Sequence, residues 1–322
     1  RWIAGMAWPE QLDCCDEIGL MVYEESLAGW WGGPQPTGEP ALRRFDASTR
    51  GMILRDRHHP SVTIWGLLNE TPDGPLFRRA VAALPRAREL DPTRLILLGS
   101  GRWDCRPSIG SVSNPGSARW EHVWGVEAPD APAVSPAWNP VAGGYSDDAG
   151  DAHAYPGVPL TQAFQAFLRD LGRKAGPVFL SECGVGSLMD VIGETRKYEE
   201  AGRRADIHDC AFIRGQAERL EADWRRWGFD GTYAFAEDML RDSQRLHMRQ
   251  RRLIFDLVRS NPRLCGYNLT GMLDHALSGE GMWTFWRELK PLAADTLRDG
   301  WAPLRWCLFV TPMHGYAGGP VE

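Results

Sequence analysis

No run of eighteen apolar residues occurs in this chain of 322 residues, so no helix that crosses a membrane is expected. There is no Cys-x-x-Cys spacing either: the seven cysteines (Cys14, Cys15, Cys105, Cys183, Cys210, Cys265, Cys307) are odd in number and scattered. They read as buried free thiols rather than a disulfide frame or metal set. No Lys/Arg cluster stands apart from helical salt-bridge patterns. With a net charge of −6, this argues against a nucleic-acid groove. Internal repeats, low-complexity tracts and a strong Gly-rich phosphate loop are also missing, NLTGMLDHALSGEG being only a feeble candidate for the last. No cofactor or metal is implied: His58 and His59 are adjacent, diverge, and have no third ligand at suitable spacing.

What the chain has is tryptophan, fifteen in all. Tryptophan is costly to bury completely and serves well as a flat platform, so some of these side chains are expected to face a ligand, a sugar being the natural partner. A large core absorbs aromatics too, and that reading stays open for Trp30, Trp31 and Trp103. The chain starts at Arg1 and ends in GGPVE; a targeting segment would lie upstream, so no compartment is read. Nothing indicates an oligomeric state.

Strand and helix patterns alternate along most of the sequence. Strands are expected at Arg1–Ala4, Leu20–Tyr23, Val62–Leu68, Leu95–Leu98, Ala152–Tyr155, Val178–Ser181 and Cys265–Leu269. Helices fall between them, at 41–55, 76–90 and 160–174 among others. Seven strands in this alternation predict a (β/α)8 TIM barrel lacking its first strand, since a closed barrel needs eight. An unpaired edge is expected between the first and last strands present. The charged, helical stretch from Glu194 to Asn261 reads as packing helices, one of them inserted between strands seven and eight. Residues 1–300 form the expected barrel domain, and 301–322 a linker toward a β domain that is not included. The Gly/Pro/Ser/Trp-rich stretch from Trp103 to Gly150 follows a strand and is expected to lie over the pocket mouth.

Two apolar runs end in acids: VTIWGLLNE closes on Asn69-Glu70, and PVFLSE closes on Glu182. The C-terminal tip of a barrel strand is where such a fold collects its chemistry. Two carboxyls delivered there suit hydrolysis of a glycosidic bond with retention, one protonated as acid and the other ionised as nucleophile. Taken alone, Asn69-Glu70 followed by TPDG also fits a strand end, a helix cap and a turn.

RDRHHPSVTIWGLLNE (Arg55 to Glu70) resembles the barrel-strand signature of glycoside hydrolase family 2, with His58 where the family has Asn. LDCCDEIGLMVYEE resembles the family's helix-to-third-strand segment, and PVFLSECG its seventh strand. The resemblance implies Glu70 as acid/base, Glu182 as nucleophile and Asn69 as the partner of the sugar 2-hydroxyl. It also implies that Arg1 helps keep the nucleophile ionised. His153 and Tyr155, two apart in DAHAYPG, share one side of a strand. On that reading Tyr155 donates to the nucleophile and His153 reaches the substrate; a capped loop with one satisfied histidine is the alternative. Trp30, Trp103, Asp274 and Trp283 are further substrate contacts suggested by position.

The implied activity is that of a retaining exo-β-glycosidase acting on a carbohydrate. YEES replaces the mannosidase-type Gln-Asp-Phe, and no Asn-x-Lys pair stands ready for a glucuronate, which leaves β-galactosidase by elimination. A non-catalytic carbohydrate-binding barrel and the other two sugar specificities are the alternatives.

Overall fold

Strand β2 (Val62–Asn69) is the longest strand described and is buried along almost its whole length. Both of its faces are covered, which is why its sequence is a continuous apolar run rather than an alternation. The computed structural model describes residues 1–30, 36–71, 74–101, 150–173, 178–202, 207–275 and 278–310. The expectations for Trp31, Trp103 and most of the 103–150 stretch fall outside these residues.

The chain divides into two compact units, and the first comprises Arg1–Tyr155, Asp170–Cys183 and Arg263–Asn268. In it β1 (Val22–Glu25), β2 and β3 (Leu95–Ser100) form a parallel sheet in that order. A second sheet holds β4 (Gly150–Ala154), β5 (Val178–Cys183) and β6 (Leu264–Leu269), with β4 and β5 parallel. Parallel neighbours need a crossover between them, and helices supply it. Helix α1 (Pro9–Ile18) precedes β1, α2 (Glu39–Asp56) joins β1 to β2, and α3 (Pro75–Leu90) joins β2 to β3. Each starts with proline at its first or second position, where the missing N–H costs nothing. Gly19, at φ 71°, ends α1 in the left-handed conformation glycine adopts without strain.

The core of this unit is built by Leu12 from α1, Phe45, Met52 and Ile53 from α2, Leu76 and Phe77 from α3, and Trp65 from β2. Trp65 is fully buried, and its indole N–H is satisfied by Asp91 Oδ2 at 2.9 Å. Arg94 ties the strand starts together, donating to the carbonyls of Val62 (2.7 Å) and His59 (2.8 Å). His59 Nδ1 lies 2.7 Å from Asp16 Oδ2, whose other oxygen accepts from Ser61 N at 2.7 Å. His59 thus belongs to a clamp at the start of β2, while His58 is exposed.

One expectation is corrected. Arg1–Ala4 is not a strand; Trp2 makes a single parallel bridge to Glu24, and Ala4 turns the chain at φ 43°. A turn this early leaves too few extended residues to build a ladder. Six strands are present among the described residues.

The second unit comprises Pro156–Arg169, Gly184–Pro262 and Leu269–Glu322. It holds most of α4 (Gln162–Asp170), with α5 (Val191–Glu200), α6 (His208–Arg226), α7 (Ala236–Arg259) and α8 (Ala293–Gly300). Its most buried cation is Arg251, which donates to the carbonyls of Val185 (3.1 Å), Thr270 (2.6 Å) and Glu280 (2.7 Å). His247 accepts from Arg251 Nε at 2.9 Å, and burial followed by that positive charge pushes it down to about 2. No helix among the described residues is long and apolar enough to cross a membrane.

Glu24 on β1 is fully buried; its Oε1 accepts from Ala7 N at 2.7 Å, and Arg55 NH2 lies 3.5 Å away. Burial, and then the charge of buried Asp56, push its carboxyl up to about 8. The folded chain therefore holds a proton that the unfolded chain releases above the ordinary glutamate range. Stability is expected to fall as pH rises from that range to about 8, by at most about 1.4 kcal/mol per pH unit. Glu24→Gln keeps the acceptor and removes the titration, so urea melts at several pH values should lose this slope in the variant. Parallel slopes in both proteins would mean that Glu24 is ionised in the fold.

Candidate functional site

Immediately after the buried run of β2 the backbone of Glu70 takes φ 43°, a region non-glycine residues seldom occupy. Its amide donates to Ser100 O at 2.8 Å, which holds the turn against the end of β3. Strain of this kind is retained where the surroundings over-determine it, commonly at functional positions. It carries the Glu70 side chain toward His153, whose Nδ1 is 2.8 Å from Glu70 Oε1.

Glu182, near the end of β5, reaches the same place. Along β4, Asp151 pairs with Phe179 and His153 with Glu182, so β5 takes three steps where β4 takes two. This bulge re-aims side chains. Ser181 and Glu182, consecutive in sequence, both meet the same cluster. Ser181 Oγ donates to Asp151 Oδ2 at 2.5 Å, and Glu182 Oε2 lies 3.3 Å from His153 Nδ1. One atom each from Glu70, His153 and Glu182 lies within 4.8 Å of the other two. The same is true of Asp13, Asp16 and His59, the clamp described above. Both trios are held by hydrogen bonds or ion pairs among their own side chains, and we assign no ion to either.

Arg1 is the cation of the site, with its side chain 2% exposed. Its guanidinium donates to Glu25 Oε1 through Nε at 2.8 Å and through NH2, to Asn69 Oδ1 at 2.7 Å and to Ser181 O at 3.1 Å. NH1 lies 2.6 Å from Glu182 Oε1. The Tyr155 hydroxyl donates to Glu182 Oε2 although the residue is 47% exposed. Asn268 Nδ2 donates to Ser181 O at 3.4 Å.

Burial is the largest influence on both catalytic candidates and pushes both carboxyls above the usual range. At Glu182 it is opposed by Arg1, His153 and the Tyr155 hydroxyl. At Glu70 the Arg1 charge opposes it, and the Glu25 charge adds to the rise. The nucleophile candidate thus has more counter-groups than the acid candidate, an asymmetry that separates their roles.

Arg1, Asn69, Glu70, His153, Tyr155 and Glu182 therefore come together. Trp30 is 47% exposed in the same unit. Asp274 and Trp283 belong to the second unit. There Asp274 is buried, accepting from Lys290 Nζ at 2.7 Å and Gly281 N at 2.8 Å, and Trp283 bridges Leu273 and Leu289. His153, expected to reach the substrate, stands between the two carboxyl groups. Glu25, Ser100, Asp151 and Ser181 were missed. Glu25 carried the signal that found Glu70, an acid closing an apolar strand; the two serines and Asp151 carried none beyond their places near strand ends.

Residues 7–125 match the family model for the glycosyl hydrolases family 2, TIM barrel domain. That stretch is similar to the family 2 barrel sequence. An 85-residue segment is 39% identical to a beta-galactosidase of Thermoanaerobacterium thermosulfurigenes, covering 26% of this chain and 11% of that protein. A segment of 125 residues is 29% identical to the beta-glucuronidase of Rattus norvegicus, covering 36% of this chain and 19% of that one. The solved structure of a beta-D-glucuronidase from Dictyoglomus thermophilum aligns over 94% of this chain and 44% of that chain, with TM-score 0.51 and 15% identity. At this identity the likeness shows the fold, an α/β TIM barrel. The chain spans less than half the length of each of these proteins. The family 2 segment includes Glu25, Asn69, Glu70 and Ser100, while Arg1, His153 and Glu182 lie outside it.

Gly101, at φ 66°, packs so closely on His153 that an added Cβ would lie 2.2 Å from Nδ1. Gly101→Ala must displace the ring and strain the backbone. Turnover is expected to drop by at least about tenfold while the melting temperature falls by only a few degrees, roughly the effect of about 1–2 kcal/mol. A variant with unchanged kcat/KM would show that the ring position is dispensable.

Proposed function

We propose that this chain supplies the catalytic barrel of a retaining exo-β-glycosidase, with Glu182 as nucleophile and Glu70 as acid/base. The observation that carries this reading is the convergence of the two carboxyl oxygens within 4.8 Å around His153 Nδ1. Retaining enzymes set their carboxyls about 5–5.5 Å apart, whereas inverting ones leave roughly 6.5–9.5 Å for a water. In the first step Glu182 attacks the anomeric carbon, forming a C–O bond, while Glu70 gives its proton to the departing glycosidic oxygen. In the second, Glu70 takes a proton from water, whose oxygen attacks the same carbon and releases Glu182.

The other side chains have assigned parts. Arg1 and Tyr155 stabilise the charge on Glu182, and Asn69, itself fixed by Arg1, is placed for the sugar 2-hydroxyl. Trp30 is a candidate platform. The six described strands are read as staves of the barrel, and the helices between β5 and β6 as carrying an insertion. For the sugar, a β-galactoside is the reading carried by the YEES strand end and the missing Asn-x-Lys pair. A β-glucuronide is the alternative, supported by the similarity to the rat enzyme.

Glu182→Ala should lower kcat on an aryl β-glycoside by roughly a thousandfold or more. Glu70→Ala should spare only substrates with good leaving groups. A 2-fluoro glycoside should leave a covalent adduct on Glu182, seen by peptide mass spectrometry. Hydrolysis that persists in Glu182→Ala, or an adduct on another residue, would remove the assignment. A panel of aryl β-galactoside, β-glucuronide and β-mannoside settles the sugar.

A further inference from the structure

Of the groups facing His153, the Arg1 guanidinium and the carboxylate oxygens have a fixed hydrogen-bonding sense, whereas the Ser100 hydroxyl can donate or accept. On the Nε2 side stand Arg1 NH1 at 3.1 Å and Ser100 Oγ at 3.0 Å. A guanidinium can only donate. The Ser100 hydroxyl also lies 2.8 Å from Asp151 Oδ2, which accepts from Gly101 N at 2.9 Å and from Ser181 Oγ. On the Nδ1 side stand two carboxylate oxygens, of Glu70 at 2.8 Å and Glu182 at 3.3 Å. The opposite tautomer would aim an N–H at the guanidinium and a lone pair at Glu182.

We propose that His153 is a positioning residue held as the neutral Nδ1–H tautomer, its single ring proton bridging Glu70 and Glu182, with Arg1 fixing that tautomer from behind. The inference deepens the glycosidase reading and rests on it for its kinetic consequence. Arg1, Glu25, Glu70, Asp151 and Glu182 are the charged groups around the ring. Burial is the largest influence on its protonation and keeps it neutral; Glu182 works against burial and Arg1 with it.

The consequence for turnover follows from which oxygen is taken. A donor on Glu70 Oε1 leaves Oε2 to carry the acid proton toward the leaving group. Once Glu182 is esterified to the sugar and has lost its charge, the ring N–H has Glu70 as its one anionic partner. Donation then favours ionised Glu70, the form that must act as base. The bridge thus supports the acid form in one step and the base form in the next without moving.

Two measurements on the intact protein test this. Ring-nitrogen NMR of 15N-histidine-labelled protein, with His153 assigned by loss of its signals in His153→Asn, should show Nδ1 protonated and Nε2 bare near neutral pH. A protonated Nε2, or an imidazolium, would overturn the proposal, and this arm needs no turnover. The second is the pH profile of kcat/KM on an aryl β-glycoside. His153→Ala removes donation to both carboxyls, so both limbs should move to higher pH by at least roughly half a unit. His153→Asn places an amide N–H near the Nδ1 position and should restore the limbs. Unmoved limbs in the alanine variant, or identical profiles for Ala and Asn, would overturn it. Fluoroglycoside trapping on Glu182 judges the glycosidase reading separately, so the two failures are distinguishable.

Discussion

One buried guanidinium organises the centre of the first unit. Arg1 faces Glu25, Glu182, Asn69, the Ser181 carbonyl and the far edge of His153, and nothing else in that cluster carries a permanent positive charge. Four acids, Glu25, Glu70, Asp151 and Glu182, gather within this shielded volume. Unpaired buried carboxylates pick up protons, since desolvation penalises the charged form. With the cation set against Glu182 and Glu25, the protonation states in the cluster can differ from one acid to the next. That difference is what acid/base chemistry by a carboxyl pair requires.

Around the cation the fold supplies rigidity. β2 delivers Glu70 and Asn69, β3 delivers Ser100 and Gly101, β4 delivers Asp151 and His153, and β5 delivers Ser181 and Glu182. Residues on paired strands are held by ladder hydrogen bonds and a filled core, so the relative positions of these side chains change little. Tyr155, half-exposed, stands just beyond the end of β4, as Glu70 and Gly101 stand just beyond β2 and β3.

Much of this arrangement was legible from residue order. The apolar runs ending in acids located β2, β5 and their glutamates, because a buried strand in a parallel sheet must be apolar throughout. Strand β1 and helices α2 and α3 were found within a few residues of their ends for the same reason. Arg1–Ala4 misled, since three apolar residues after Arg1 look extended while a single left-handed residue at Ala4 turns them aside. His153 was placed on the right strand, but its contact with both glutamates was not foreseen. Strand parity says which side of a sheet a residue occupies; it does not say which of several acids will be waiting there. Ser100, Asp151 and Ser181 escaped notice because short polar side chains at strand ends are common. Their significance lies only in what surrounds them.

The extra residue in β5 has a consequence for how this chain can vary. Ordinary pleating would send Ser181 and Glu182 to opposite faces, forcing a choice between supporting Asp151 and turning the Glu182 carboxyl toward His153. The irregular register lifts that choice. Side-chain exchanges at Leu180 are then a matter of volume alone, but deleting one residue between Phe179 and Glu182 would restore simple alternation and separate the two tasks. For this segment, length is under tighter constraint than composition.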